Sequence, residues 1–310
     1  MAAMSKENLY LFLLLTYCLV KIGKLSVTDR SPVIVMGIIN VSPESFYKDS
    51  IKTRTDDIAK TAASIQYEGA HIIDIGAMST APYLENDIPI EKETERMVRA
   101  VKIIRKNCSL PISVDTPRWS VAREAINLGV DCINDITGLK YDENMAELIA
   151  ESKLPVILGA CDNSRRADLL SKPIATGKVS GTIKLLKESL SIARRSGINN
   201  DKIIIDPSVG FFRADGKGPF FTHMKDTPWY VRDINIISRL HELKTRISNP
   251  ICVSVSRKSF IGKLLNLETE ERLLPSLVFE MISALNGAKI IRTHNVRETL
   301  QALRACELTC

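Results

Sequence analysis

No C-x-x-C pair occurs among the seven cysteines of this 310-residue chain (18, 108, 132, 161, 252, 306 and 310). That excludes the common paired-thiol zinc and redox motifs. The cysteines are odd in number and several fall in apolar runs, which fits buried reduced thiols in a cytoplasmic protein. The four histidines are scattered and give no zinc-site spacing. A net charge of +6 comes without a basic run or aromatic-basic interleaving, so nothing indicates a nucleic-acid face. No low-complexity linker divides the chain. The run from Leu9 to Val20 is almost wholly apolar but shorter than the ~20 residues of a membrane span. No convincing signal-peptide cleavage site follows it. Residues 1–30 therefore read as an N-terminal extension, either an apolar helix under the main domain or non-essential upstream residues. Residues 31–310 read as one domain, with no membrane partner expected.

Short runs rich in Ile and Val are what the chain has instead, and each ends in a polar residue. Val33 to Ile39 ends at Asn40, His71 to Ile73 at Asp74, and Ile112 to Val114 at Asp115. Cys132 and Ile133 end at Asn134. Val156 to Leu158 lead to Cys161 and Asp162, and Ile203 to Ile205 end at Asp206. Ile251 to Val255 lead into Ser256-Arg257-Lys258-Ser259. Lys289 to Ile291 end at Arg292 and His294. Continuous apolar character fits strands buried on both faces, as in a parallel sheet. Helical patterns at 55–69, 91–106, 118–129, 142–152, 181–196 and 270–287 lie between the runs. Eight strands alternating with helices match an α/β fold of the (β/α)8 TIM-barrel type, typically ~250 residues. A doubly wound sheet is the structural alternative. The barrel is favoured because its strand ends converge. Asn40, Asp74, Asp115, Asn134, Asp206, Lys258, Arg292 and His294 would then line one pocket.

The most specific stretch is Ser256 to Gly262, where two cations and two hydroxyls stand between a strand and a helix. Helix-start N–H groups lack intrahelical partners, so such a site suits an anionic or polar ligand.

These residues carry a resemblance. Met36-Gly37-Ile38-Ile39-Asn40-Val41-Ser42-Pro43-Glu44-Ser45-Phe46 resembles the first-strand signature of the dihydropteroate synthase family of pterin-binding barrels. Ile72 to Gly76 with Ser79-Thr80 resembles the second motif. Ser113-Val114-Asp115-Thr116 and Ile133-Asn134-Asp135-Ile136 match the third and fourth. Asp206-Pro207 with Gly210-Phe211, Ser256 to Gly262, and Arg292-Thr293-His294 complete the order.

The resemblance implies condensation of 6-hydroxymethyl-7,8-dihydropterin diphosphate with 4-aminobenzoate, releasing diphosphate, with Mg2+ as cofactor. It implies that Asp115, Asn134, Asp206 and Lys258 bind the pterin. Thr80 and Ser259 would bind the arylamine. Asn40, Arg292 and His294 would hold the diphosphate, Asn40 would meet the metal, and Lys258, Arg292 and Asp115 would be the catalytic group. A homodimer through helices near 270–287 is implied too. The chemistry agrees, since a buried carboxylate such as Asp206 can accept the two parallel donors of a pterin.

The chain also departs from the pattern. Met78 and Ala81 replace the family's Glu and Arg in the second loop. Leu158-Gly159-Ala160-Cys161-Asp162 replaces M-H-M, and Asn295 replaces Asp. A long stretch after Asp206-Pro207 carries Phe211, Phe212, Arg213, Phe220, Phe221, His223, Trp229 and Tyr230, as a lid or as a loop packed on neighbouring helices. These departures leave two alternatives open. One is the same transfer to a larger arylamine, such as ribofuranosylaminobenzene phosphate. The other is a pterin-binding protein without catalysis.

Overall fold

The computed structural model describes residues 18–43, 54–84, 87–162 and 176–308. The chain enters through a short antiparallel hairpin, β1 (Val20–Ile22) and β2 (Leu25–Val27). Parallel strands then alternate with helices: β3 (Ile34–Asn40), α1 (Thr55–Tyr67), β4 (Ile72–Gly76), α2 (Ile90–Asn107), β5 (Ile112–Asp115), α3 (Trp119–Asn127), β6 (Cys132–Asp135), α4 (Met145–Ser152), β7 (Val156–Gly159), α5 (Val179–Arg195) and β8 (Ile203–Asp206). A two-residue pair, β9 (Phe212–Arg213) with β10 (Thr222–His223), interrupts the rhythm. Helices α6 (Trp229–Ser238) and α7 (Leu240–Lys244), strand β11 (Ile251–Val253), helices α8 (Ser259–Leu265) and α9 (Leu273–Leu285), strand β12 (Ala288–Thr293) and helix α10 (Val296–Glu307) complete the chain. Strands β3 to β8, β11 and β12 close into one parallel barrel, as the (β/α)8 reading expects.

Strand alternation sorts the barrel interior into layers, because successive side chains point to opposite faces. The lowest layer contains Ile34, Met36, Ile72, Cys132, Ile157, Ile204, Cys252 and Ile290. Val20, Ile22 and Val27 of the hairpin pack into the same cluster and plug the barrel's lower mouth. This corrects the helical reading of the N-terminal extension over its described part. Val20-Lys21-Ile22 alternates buried, exposed, buried, which is a strand period. Leu9 to Tyr17 lie outside the described residues, as do Glu44, Ser45, Phe46 and Cys310. The six other cysteines are free thiols, four of them buried.

The aromatic insertion packs down more than it covers. Phe212 and Phe220 are buried, and Trp229 and Tyr230 open helix α6. Met78 of the second loop joins Tyr141 and Phe220 in a satellite cluster. The Lys217 amide donates to the Pro82 carbonyl at 2.8 Å. The insertion and the second loop therefore brace one another.

Candidate active site

The period that builds the plug also aims the polar strand ends. Asp74 lies two residues after Ile72, Asn134 after Cys132, Asp206 after Ile204, and Arg292 after Ile290. Each therefore points into the barrel one layer above the plug. Asp135, one residue out of phase with Asn134, faces elsewhere. It accepts the Thr137 amide at 2.8 Å and the Leu139 amide at 2.7 Å.

Asn40, Thr80, Asp115, Asn134, Asp206, Lys258, Ser259, Arg292 and His294 line one cleft of about 860 Å3, open mouth included. Asp74 does not line it, contrary to the sequence expectation. It is wholly buried below the floor and holds two floor residues in place. Arg292 Nε donates to Asp74 Oδ2 at 2.6 Å, and Asn134 Nδ2 donates to the same oxygen at 3.2 Å. Arg292 also donates from its second terminal nitrogen to Asp115 Oδ2 at 2.8 Å. Two carboxylates thus fix the guanidinium plane. Burial works against its charge, but Asp74 and Asp115 outweigh burial and raise its pKa.

Asp115 keeps one oxygen, Oδ1, buried without a partner among the described residues. Burial pushes its pKa up to about 7, with Arg292 opposing and Asp74 adding to the rise. Asp206 is also raised by burial, against the pull of Lys258. Its Oδ1 accepts the Ser208 amide at 2.7 Å. Lys258 donates to the Val209 carbonyl at 2.6 Å and sits 4.3 Å from the Phe211 ring centre. Burial lowers it to about 8 despite Asp206 nearby. Gly210 makes this approach possible: its φ is +87°, and a Cβ there would stand 2.8 Å from Lys258 Cδ. His294 is lowered to about 3 by burial and then by Arg292, so its imidazole is neutral at pH 7.

The Ser256-Arg257-Lys258-Ser259 turn divides its two cations. Lys258 enters the cleft. Arg257, at φ +54°, turns away. Its Nε donates to Asn295 Oδ1 at 3.1 Å, and another nitrogen donates to the carbonyls of Thr269 and Glu270 at 3.0 and 2.9 Å. Asn295, in place of the family's Asp, thus serves as the acceptor for Arg257.

Sequence reasoning gave Arg213 no role of its own. Only 4% exposed, it donates to Ser259 Oγ at 2.8 Å and to the Phe212 carbonyl at 3.2 Å. Its guanidinium carbon lies 3.6 Å from the Trp229 ring centre. Among the described residues no carboxylate pairs with it directly. A cation buried without a counter-ion is costly. Its place beside Ser259 suits an incoming carboxylate. A lone Arg between aromatics was the one available signal.

A family model described as pterin binding enzyme matches residues 36–294. The dihydropteroate synthase of Escherichia coli strain K12 is 34% identical over 281 residues, covering 91% of this chain and 93% of that one. That of Bacillus subtilis strain 168 is 33% identical over 270 residues, covering 87% and 86%. The crystal structure of the Clostridium difficile enzyme, solved in the presence of pteroic acid, superposes with a TM-score of 0.74 at 31% identity, covering 90% and 97%. The chain belongs to the pterin-binding enzyme family.

Proposed function

We infer that the chain is a dihydropteroate synthase, a transferase of folate biosynthesis. It joins 6-hydroxymethyl-7,8-dihydropterin diphosphate to 4-aminobenzoate and releases diphosphate. The observation that carries this reading is the convergence of Asp115, Asn134, Asp206 and Lys258 with Arg292 and His294 in one cleft. Asp206 accepts the paired N–H donors of the pterin, and the unpartnered Asp115 Oδ1 accepts another. Lys258 donates to the ring's acceptor edge. The C–O bond to diphosphate breaks with its electron pair leaving on oxygen, the arylamine nitrogen supplies the pair for the new C–N bond, and that nitrogen then releases one proton to solvent. No protein nucleophile is required. Arg292, held rigid by Asp74 and Asp115, stabilises the charge that develops on the leaving group, a preorganised interaction stronger in the transition state. Two of its five N–H donors serve those carboxylates. Ser259 and Thr80 hold the arylamine end.

Mg2+ fits this donor set. Among the described residues no cluster of three His, Cys, Asp or Glu forms a protein cage. Mg2+ keeps several waters and binds through few protein groups plus phosphates. Asn40 Oδ1 stands at the end of β3, where Gly76 leaves room. A Cβ on Gly76 would stand 3.0 Å from that oxygen. When bound, the ion would neutralise charge on the leaving diphosphate. A homodimer is supported by α9, where Leu274, Val278 and Leu285 are 72, 56 and 62% exposed. Free buried thiols support a cytoplasmic setting. Among the described residues no helix is long and apolar enough to cross a membrane.

The test is diphosphate release by purified protein with dihydropterin diphosphate and Mg2+, with and without 4-aminobenzoate. Release that depends on 4-aminobenzoate, with dihydropteroate formed, is expected. Tight binding of pterin diphosphate without turnover would overturn the reading.

A further inference from the structure

Helix α9 carries one charged residue, Glu280, which is fully buried and plays no part in the chemistry above. Thr299 of α10 donates to its Oε2 at 2.7 Å, and its Oε1 has no partner among the described residues. Thr299 Oγ1 and Thr293 Oγ1 lie 3.1 Å apart. Thr293 Oγ1 is 3.5 Å from Ser256 Oγ, the longest link, and Ser256 Oγ is 3.1 Å from His294 Nδ1. A file of three buried hydroxyls therefore joins Glu280 to the imidazole at the diphosphate end of the cleft. We propose that Glu280 is a positioning residue that selects the tautomer of His294 through Thr299, Thr293 and Ser256.

The argument is a count of protons. An ionised carboxylate only accepts, so Thr299 spends its proton on Glu280. Thr293 then donates towards Thr299 or Glu280, and Ser256 donates towards Thr293. Thr293's other lone pair takes the Asn295 amide at 3.1 Å. Ser256 has no proton left and accepts from the His294 amide at 3.2 Å and from Nδ1–H. His294 then presents an unprotonated Nε2, which repels diphosphate oxygens. A neutral Glu280 can donate to Thr299 and reverse every link. Ser256 then donates to Nδ1, and the proton sits on Nε2, where it can donate to diphosphate. Neutral Glu280 is the productive form.

The environment allows this exchange at ordinary pH. Burial pushes Glu280 up to about 7, with the Thr299 and Thr293 hydroxyls opposing. Glu298 on α10 raises it further, while the charged residues of the other elements packed on α9 (Arg232 and Asp233 on α6, Lys289 and Arg292 on β12, and Glu270, Glu271 and Arg272 in the Thr269–Arg272 turn) are not what shifts it. His294 stays neutral across this range, so the change at the imidazole is of tautomer and not of charge.

The proposal rests on the diphosphate role of His294 for its consequence, but its test reads the ring directly. The chain has four histidines. Long-range 1H–15N spectra of labelled protein, with His294→Asn for assignment, report which nitrogen carries the proton. The expected result is an Nε2–H pattern at pH 6 that turns to Nδ1–H by pH 8. Glu280→Gln, which can donate or accept without titrating, should abolish the change, and so should Thr293→Val, which removes the middle hydroxyl. A wild-type tautomer constant from pH 5.5 to 8.5, or one that still titrates in either variant, overturns the proposal. In turnover, the kcat ratio of Glu280→Gln to wild type should rise about tenfold from pH 6 to pH 8. A constant ratio together with a titrating tautomer would overturn the diphosphate consequence and leave the relay standing.

Discussion

The two ends of the cleft are built differently. The end proposed to hold the pterin is a floor of strand residues: Asp115, Asn134, Asp206 and Arg292 come from four strands, and Arg292 is tied to Asp115 directly and to Asn134 through Asp74. The end proposed to hold the arylamine is a rim made by the second loop, the Phe211–His223 insertion and the first turn of α8. The floor inherits its geometry from the barrel, where a strand's register fixes both height and direction of a side chain. The rim inherits its geometry from loops that brace one another. Loops tolerate replacement better than strands, and the departures from the family pattern at Met78 and Ala81 both lie in the rim. Arg213 donates to Ser259 at that rim without itself lining the cleft. Substitutions in the floor should therefore act on pterin binding and chemistry, and substitutions in the rim on the acceptor alone.

The sharpest break falls on the floor. Asp206→Asn turns one accepting oxygen into a donor facing the pterin's own donors. Pterin affinity should fall by up to ~100-fold, since an unmatched buried polar group costs roughly 1–3 kcal/mol. Titration calorimetry with the pterin, and an unchanged circular dichroism spectrum, check it. Unchanged affinity would remove Asp206 from the pocket. Arg292→Ala should lower kcat about 100-fold or more while changing pterin affinity less. It also leaves Asp74 buried without its cation, so thermal stability should drop by roughly 3–5 kcal/mol. Equal losses in kcat and pterin affinity would count against a leaving-group role. On the rim, Arg213→Ala should raise the acceptor KM about tenfold, on the order of 1.4 kcal/mol, and leave pterin affinity as it was. A change in both would mean that rim and floor are one unit.

The same division explains what the sequence made legible. Runs of Ile and Val ending in Asn or Asp set the strands, and a period of two carried Asn134, Asp206 and Arg292 into the barrel. Depth was not legible. Asp74 and Asp115 end neighbouring apolar runs in the same way, yet β4 continues two residues past Asp74 and pairs Gly76 with Asp115, so one carboxylate is sealed below the floor and the other lines the cleft. Nor was direction legible in a turn, where a left-handed φ at Arg257 sends that cation outward and its neighbour inward. The hairpin at Val20–Val27 was masked by the apolar run before it. Arg213 needed a contact with Ser259, 46 residues away, that no local pattern encodes. Glu280 was a signal passed over: a single carboxylate in an apolar helix must have a buried partner or a raised pKa.

The smallest expected effect tests the division through pH. Lys258 stands on the floor, and burial lowers it to about 8 in the free protein. Its donor strength towards the pterin depends on the proton. With pH rising through 8 that proton is lost, so pterin affinity should weaken. The protonated fraction falls about threefold between pH 7.5 and 8.5 for a pKa near 8, and the dissociation constant should rise by about the same factor. Lys258→Ala should bind more weakly throughout and lose this slope. The acceptor KM, assigned by the proposal to Arg213, Ser259 and Thr80 at the rim, should stay flat over the same interval, because Arg213 keeps its charge. Parallel slopes for pterin and acceptor would show that Lys258 serves both ends of the cleft. A slope for the pterin alone would place the boundary between floor and rim on the acceptor side of Lys258.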